Sequence, residues 1–475
     1  MKKETVKTIT LVLLVFSSII LTVNNWFSEK LWPDGYNFFS NIANYFSDEK
    51  ETPKSYYLSK ENVSNPTKII INNMEFRGVY THTSKEYNDM VGPIKEILKE
   101  GLSSNSYSKG SPELWKEALK YKSVYLSYPV TYGEKTFSAI MDTPIPSVAN
   151  GSVREFVIVS GDPITGKPRL LIKNAADDSY IDIVLDADMT KIDRVISKYA
   201  TSGIAEYPYS FELNFDKVAD SVQQKVIIEP QVTLSINSVM ANTVTEINYF
   251  EDIATNKELY SEFLKTFGFN TSNIRKNVNI DNSIVFVENY GSIKMYPDGL
   301  LEFKALDDSQ GIEIGSSKQF YSTFIDCIEF VNNIWDTACR DINMNINLSS
   351  AKITGDDNSF ILTIDYFADG MEVVSSLEET SLHGKVNHAI EVEVKNSRVI
   401  SYRQIVKGYV PNDDEVQCLS VIEALDILMA NESVKSDTIT DMYLAYYPNN
   451  KGICEPCWVA KTDRNEIRII KNKQD

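Results

Sequence analysis

Apolar residues follow three patterns along this chain: one long uncharged run near the start, and then helical and strand-like spacings that alternate to the end. The run from Thr8 to Phe27 contains 20 residues without a charged side chain. At about 1.5 Å per residue, a helix of that length spans the roughly 30 Å hydrocarbon core of a bilayer. Residues 1–27 are therefore predicted to form a short cytoplasmic tail and a transmembrane anchor.

The residues that flank this run predict its orientation. Lys2, Lys3 and Lys7 precede it, and lysine before a span favours a cytoplasmic amino terminus, with Trp26 as an anchor at the outer membrane interface. A cleaved signal peptide has similar charged and apolar regions but needs small residues at its cleavage site. The run ends without an A-x-A pattern, so we predict an uncleaved, single-pass protein of the cell membrane with its carboxy-terminal body outside the cell.

Three polar residues of the predicted anchor share one side of the helix. Thr10, Ser17 and Asn24 recur every seven residues. Small or polar side chains in such a stripe allow close helix packing and hydrogen bonds between transmembrane helices. The stripe is our hypothesis for a surface that packs against another membrane helix. The alternative is that these residues are merely tolerated in an ordinary anchor.

The rest of the chain has the pattern of an α+β protein, in which antiparallel sheets pack against amphipathic helices. Helical spacing covers 84–102, 188–199, 248–269, 318–337 and 416–430, and short β-type runs lie between these stretches. Asp298-Gly299, Asp369-Gly370 and Asn396-Ser397 are typical of tight hairpin turns. The predicted organisation is a stalk (28–66), an N-terminal exported α+β domain (67–247), a bridging helix (248–274), a central α+β domain (275–415) and a C-terminal helix with antiparallel strands (416–475).

Composition limits the classes of function. The 475 residues include 47 Lys and Arg against 66 Asp and Glu, a formal net charge of −19. Nucleic-acid binding requires a basic surface, so this class is set aside. Hydrophobic residues make up 43% of the chain and aromatic residues 11%, which indicates a folded rather than a disordered protein.

The sequence contains few groups suited to catalysis or metal binding. Cys454 and Cys457 form a C-x-x-C pattern like that of redox dithiols, but the pattern precedes a predicted strand, which favours an incidental or structural pair. His383 and His388 are interpreted as surface-loop histidines, because a tetrahedral metal site needs three or four ligands. Acidic clusters such as Asn412 to Glu415 are interpreted as solvated turns. We therefore predict no enzyme activity, no catalytic, cofactor-binding or metal site, and no cofactor.

Three segments resemble the YycH family of regulatory proteins. The first is the anchor from Val6 to Trp26, with its tryptophan at the outer end. The second is the hairpin Gly291-Ser-Ile-Lys-Met-Tyr-Pro-Asp-Gly-Leu-Leu-Glu-Phe303, which is similar to a family pattern of the form Y-P-(N/D)-G-x-(L/V)-E-(Y/F). The third is the closing helix and paired strands from Ala424 to Thr462. The Cys454 and Cys457 pair departs from the family's tail.

The resemblance implies a regulator that works by contact. YycH proteins act with YycI on the WalK (YycG) sensor histidine kinase of the WalRK two-component system, which controls cell-wall metabolism. The partners implied are thus a YycI-like protein and a WalK-type kinase. Two other classes stay open: an extracellular ligand-binding sensor, which requires a concave pocket between the two halves, and a cell-wall hydrolase or thiol enzyme, which requires converging titratable groups.

Overall fold

The computed structural model describes most of the chain after residue 57. The described residues are 58, 64–81, 84–104, 107–143, 152–161, 166–175, 177–215, 227–236, 239–272, 275–315, 320–338, 344–354, 359–377, 383–430, 438–449, 452–463 and 466–472. The predicted anchor, with Thr10, Ser17, Asn24 and Trp26, lies outside them. Within the described ranges, no helix is long and apolar enough to cross a membrane. Residues 54–475 form one compact unit.

The described part of this unit consists of two β-sheets and the helices that pack against them. The first has eight strands in the order β3-β7-β6-β5-β4-β1-β2-β8, each antiparallel to its neighbours. Its strands are β1 (Lys68–Asn72), β2 (Phe76–Thr81), β3 (Tyr107–Lys109), β4 (Ser123–Gly133), β5 (Ser152–Val159), β6 (Arg169–Asn174), β7 (Tyr180–Val184) and β8 (Ser202–Gly203). Four helices accompany them: α1 (Tyr87–Leu102), α2 (Pro112–Lys120), α3 (Glu134–Met141) and α4 (Thr190–Tyr199).

Both faces of the first sheet are covered because its central strands are apolar at successive positions. In β1, Ile69 and Ile71 point into the main apolar core beside α1 and α4. Ile70 points the other way, into a smaller cluster with Trp115 of α2. Side chains of a strand alternate between faces, so a continuous apolar run is what a sheet covered by helices on both faces requires.

The second sheet contains sixteen strands within the described ranges. Twelve follow the order β11-β12-β13-β14-β20-β19-β17-β18-β22-β23-β10-β21, with β15 added to β20, β16 to β17, β24 to β23 and β9 to β22. Its strands are β9 (Ile227–Ile228), β10 (Met240–Asn248), β11 (Arg275–Val278), β12 (Ile284–Val287), β13 (Gly291–Met295), β14 (Leu300–Ala305), β15 (Ile312–Glu313), β16 (Asn345–Ile353), β17 (Phe360–Ala368), β18 (Met371–Val373), β19 (Ile390–Lys395), β20 (Arg398–Ile405), β21 (Lys407–Gln417), β22 (Thr438–Pro448), β23 (Ile453–Thr462) and β24 (Ile467–Lys471).

Three helices pack on the second sheet: α5 (Lys257–Thr266), α6 (Phe320–Ala338) and α7 (Val421–Ala430). Helix α6 carries the largest apolar face and buries Phe324 and Trp335 completely. Helix α3 of the first sheet contacts α6, so the cores of the two sheets are continuous. The predicted α+β class is thus confirmed for the described body. The prediction of purely antiparallel sheets is wrong for the second sheet, in which β22 pairs in parallel with β18 and with β9.

The predicted hairpins are confirmed where the turn signal is local. Asp298-Gly299 joins β13 to β14, and Gly299 has a φ of 101°, which glycine adopts without strain. Asp369-Gly370 joins β17 to β18, and Asn396-Ser397 joins β19 to β20, all four with positive φ. These are the backbone angles that tight hairpin turns demand.

Other elements differ from the sequence prediction. The β-type pattern of residues 67–79 predicts a single strand, but the structure forms the hairpin β1–β2, whose connection includes Met74 with a φ of 81°. The bridging helix predicted over 248–274 is the shorter α5, because the Asn256 side chain accepts a hydrogen bond from the Leu259 amide and caps it there. The interpretation of Asn412 to Glu415 as a turn is wrong, since they lie in β21 at a register shift against β10, although Asp413 to Glu415 are exposed as a solvated segment requires.

Candidate functional site

A cavity of about 360 Å³ lies between the two sheets. Strands β1, β2, β4 and β5 line one wall, and β16, β17, β18, β22 and β23 line the other, with Tyr207 and Thr233 of the connecting segment at the side. The alternative interpretation of the sequence, a ligand-binding sensor, requires a pocket in this position. The cavity is therefore the candidate functional site.

The side chains of the first wall are positioned by the alternation of residues along the strands and by one irregularity in strand pairing. Lys68 points to the same face of β1 as Ile70 and pairs in register with Ser127 of β4, which also lines the cavity. Arg154 lies in β5 where the register shifts between Val153 and Glu155. A β-bulge redirects side chains, and here it accompanies an arginine that lines the cavity.

The second wall is polar on strands whose opposite face is apolar. In β17, Phe360, Leu362, Ile364 and Tyr366 are completely buried in the core. Asp365 lies on the other face, in register with Asn347 of β16. In the neighbouring part of the sheet, Asp441 of β22 pairs in register with Lys461 of β23. Three acidic residues, Asp365, Glu372 and Asp441, line this wall together with Lys461.

Lys461 is the central cation of the second wall. Its Nζ lies 3.5 Å from Glu372 Oε2, and the Tyr443 hydroxyl donates to the same oxygen at 2.9 Å. Burial disfavours the charged ammonium, but the carboxylates of Glu372, Asp365 and Asp441 outweigh it and raise the pKa of Lys461. For Glu372 burial wins, so its pKa is raised despite the neighbouring lysine.

Asp365 has its own partners. Its carboxylate lies 3.1 Å from His388 Nδ1 and accepts a hydrogen bond from the Ala389 amide at 3.4 Å. Burial raises the pKa of Asp365, but His388 and Lys461 outweigh it, and the net shift is downward. Burial lowers the pKa of His388, but Asp365 outweighs it, and the net shift is upward. The pair therefore favours a carboxylate beside an imidazolium.

One ion pair joins the two walls. Lys68 Nζ of the first sheet lies 2.9 Å from Asp441 Oδ1 of the second. Burial raises the pKa of Asp441, but Lys68 outweighs it and the pKa is lowered. Both residues line the cavity, so this pair connects the sheets at the boundary of the space between them.

Arg154 differs from the two lysines. Its Nε donates to the Tyr128 carbonyl at 3.2 Å. Among the described residues no carboxylate lies within ion-pair distance of its guanidinium, and its two Nη atoms donate to none of them. Its positive charge nevertheless acts on Asp441 and Lys461. The cavity therefore holds a guanidinium with unused donors.

A buried arginine fixes the segment at the side of the cavity. Arg77 of β2 donates to both carboxylate oxygens of Glu212, at 2.8 and 2.9 Å, and to the Tyr207 carbonyl at 2.7 Å. Its guanidinium carbon lies 3.8 Å from the centre of the Tyr209 ring. This arrangement holds the segment that contains Tyr207 against the edge of the first sheet.

The cysteines do not form a redox site in the described structure. Cys454 and Cys457 are three residues apart on β23, so they point to opposite faces, and each lies in a different apolar cluster. Both thiols are free and buried, and burial raises the pKa of each to about 12. A redox thiol needs an exposed, acidified position, so this geometry agrees with the structural interpretation. Cys327 and Cys418 are also buried and free.

The histidines are more enclosed than the sequence suggests. His383 is almost fully buried, with Nε2 2.7 Å from Asp298 Oδ2 and its ring against Tyr296. The interpretation of His383 as a surface-loop residue is wrong because the β13–β14 hairpin covers it. In the described part of the chain, no three His, Cys, Asp or Glu side chains converge as a metal site would require.

The charged residues of the cavity belong to no motif that the sequence presents. Asp365, Glu372, Asp441 and Lys461 each lie in or near a predicted strand, and a charged residue within an otherwise apolar strand is the available signal. The predicted stripe Thr10, Ser17 and Asn24 and the interface residue Trp26 lie outside the described residues.

Comparison with known proteins shows the fold. No protein-family model matches the chain, and no curated protein matches it. The crystal structure of YycH from Bacillus subtilis matches with a TM-score of 0.53 at 13% identity, over 89% of this chain and 99% of that one. An uncharacterized protein from Eubacterium rectale matches with a TM-score of 0.34, at 12% identity over 54% of this chain and 92% of that one. The YpeB C-terminal domain of Bacillus megaterium matches with a TM-score of 0.26, at 10% identity over 46% of this chain and 98% of that one. This chain has a YycH-like fold.

Proposed function

We propose that this protein is a membrane-anchored, non-enzymatic regulator of a WalK-type sensor histidine kinase that controls cell-wall metabolism, acting with a YycI-like partner. The observation that supports the proposal most is the likeness of its fold to YycH over 89% of the chain. A shared fold alone does not assign a function. The additional support is the predicted anchor, which precedes the folded body as the family resemblance implies.

The proposed mechanism separates two contacts. The predicted anchor packs against transmembrane helices of the kinase through Thr10, Ser17 and Asn24. The body, on the outer side of the membrane, associates with the YycI-like protein. A regulator of this kind acts by stabilising one conformational state of the kinase over another, so its effect equals the difference between its affinities for the two states.

The first test is co-purification from membranes. The full-length protein is compared with a version in which residues 1–27 are replaced by an unrelated transmembrane helix, so that both are held at the membrane. We expect both versions to recover the YycI-like partner and only the native anchor to recover the kinase. Recovery of neither protein by the full-length chain would contradict the proposed function.

The second test addresses the stripe in the predicted anchor. Replacing Thr10, Ser17 and Asn24 together by Leu should weaken kinase regulation, because bulky side chains prevent close helix packing and remove the hydrogen-bonding groups. The matched control is Thr8→Leu with Thr22→Leu, which adds similar bulk on the opposite side of the helix. Equal regulation by the stripe variant and the control, at equal protein levels, would refute the assignment of this surface.

A further inference from the structure

The cavity between the sheets has the size of a small-molecule site. Its volume of about 360 Å³ lies at the lower end of the range for ligand pockets, roughly 300–1,000 Å³. Most of its lining residues belong to strands, so their positions are fixed by the hydrogen bonds of the two sheets. A site of this size accommodates a compact organic molecule and excludes a folded partner.

The negative groups of the cavity are already neutralised by the protein. Asp441 is paired with Lys68, and Glu372 with Lys461 and the Tyr443 hydroxyl. Asp365 is paired with His388. A cationic ligand would have to compete with these internal partners for each carboxylate.

Arg154 is the cavity cation that has no such partner. A guanidinium carries five N–H donors, and one of them is used, by the bond from Nε to the Tyr128 carbonyl. The other four, on the two Nη atoms, donate to no described residue, although the residue is partly buried and lines the cavity. Two parallel N–H groups of a guanidinium match the two oxygens of a carboxylate.

The lining of the cavity also includes apolar side chains. Val79 and Pro129 contribute to the first wall, and Phe367, Met442 and Leu444 to the second. Such a mixed lining, with a few fixed polar groups in an apolar surround, is typical of sites that orient a small ligand by one charged end.

We propose that this cavity binds a small organic carboxylate with a compact apolar body, and that the Arg154 guanidinium holds the carboxylate. The proposal does not depend on the regulatory function proposed above, because it concerns only the binding of a small molecule to the body. If both are correct, occupancy of the cavity is a means by which the body can report a chemical signal.

The test measures binding to the full-length protein in lipid nanodiscs. The probes are short linear, branched and aromatic carboxylates, each paired with its uncharged primary amide and measured by saturation-transfer NMR and calorimetry. Empty nanodiscs correct for partition into lipid. The variants are Arg154→Met, Arg154→Lys, which keeps the charge but loses the paired donors, and Arg194→Met, a matched control at an exposed arginine of α4.

We expect at least one carboxylate to bind the native protein about tenfold more tightly than its own amide, because a charge-assisted hydrogen bond is lost in the amide. Arg154→Met should abolish this preference, Arg154→Lys should reduce it, and Arg194→Met should preserve it. Equal binding of every acid and its amide would overturn the proposal, as would an undiminished preference in Arg154→Met. If Arg154→Met does not fold, Arg154→Lys decides, and an unchanged preference in that variant would also overturn it.

Discussion

The two walls of the cavity differ in charge and in how that charge is neutralised. The first sheet contributes Lys68 and Arg154 and no carboxylate, whereas the second contributes Asp365, Glu372 and Asp441 with one lysine, Lys461. The second wall neutralises two of its carboxylates internally, through Lys461 and His388. Its third, Asp441, depends on Lys68 from the opposite wall.

This difference distinguishes the cations that neutralise carboxylates of the protein from a cation that can contact a ligand. Lys461 and Lys68 each form an ion pair with a carboxylate, so removing either leaves a negative group without its partner. Arg154 has no carboxylate contact in the described structure and acts on Asp441 only at longer range, so its charge contributes less to holding the sheets together. The comparison therefore predicts that three cations in one cavity make very different contributions to stability.

The largest effect is expected at Lys461. Replacement of Lys461 by Met should lower the free energy of unfolding by about 2–3 kcal/mol at neutral pH, because the largely buried Glu372 carboxylate loses its cation and Asp365 and Asp441 lose a neighbouring positive charge. Urea denaturation followed by tryptophan fluorescence measures this loss. The loss should shrink in acid, where protonation of Asp365, Glu372 and Asp441 removes the uncompensated negative charge.

The matched control for this variant is Lys352→Met, at an exposed lysine of β16. Exposed lysines contribute little to stability, so the control should stay within about 0.5 kcal/mol of the native protein. A loss at Lys461 no greater than that of the control would mean that the second wall is not organised around this lysine.

The next effect concerns the ion pair between the walls. In a double-mutant cycle with Lys68→Met and Asp441→Asn, we expect a coupling energy of about 1–2 kcal/mol, because the pair is partly accessible from the cavity. The pKa of Asp441 is lowered in the folded protein. The coupling is therefore fully present above the unfolded pKa of an aspartate and is lost as the pH falls through the lower folded pKa. Additive single variants at pH 7 would contradict an electrostatic connection between the sheets.

A smaller effect is expected at His388, with the opposite dependence on pH. Its folded pKa is raised by Asp365, so its contribution is fully present below the unfolded pKa of about 6.5 and is lost as the pH rises through the folded pKa. His388→Gln should therefore cost about 1 kcal/mol near pH 5.5 and less at pH 9. In an Asp365→Asn background this dependence on pH should disappear. Its persistence there would assign the effect to a different partner of His388.

The elements that the sequence predicts well are those with local signals. The β13–β14 hairpin follows from Asp298-Gly299, and α6 follows from the helical spacing of its buried residues, with predicted bounds of 318–337 against Phe320–Ala338 observed. The β1–β2 hairpin was missed because Met74, rather than glycine, takes the positive φ at its turn. Helix α2 was also missed, although its capping Ser111 and first-turn Pro112 are recognised start signals.

The cavity could not be predicted in the same way because its contacts are distant in sequence. Lys68 and Asp441 are separated by 373 positions, and no local pattern indicates that two sheets bring them together. A weaker signal was available in β17, where Thr363 and Asp365 interrupt the apolar positions on one face only. That alternation identifies a polar face on a buried strand but not the partner that covers it.

The smallest effect on stability is expected at Arg154, the charged residue of the cavity lining that forms no ion pair within the described structure. Arg154→Met removes one hydrogen bond, from Nε to the Tyr128 carbonyl, and no ion pair within the described structure. We expect it to change the free energy of unfolding by less than about 1 kcal/mol, well below the loss from Lys461→Met, and urea denaturation in ligand-free buffer measures this. A loss as large as that at Lys461 would show that Arg154 is a structural cation like its neighbours. A small loss would mean that the cavity contains a guanidinium without an ion-pair partner in the described structure, whose charge serves something other than the stability of the sheets.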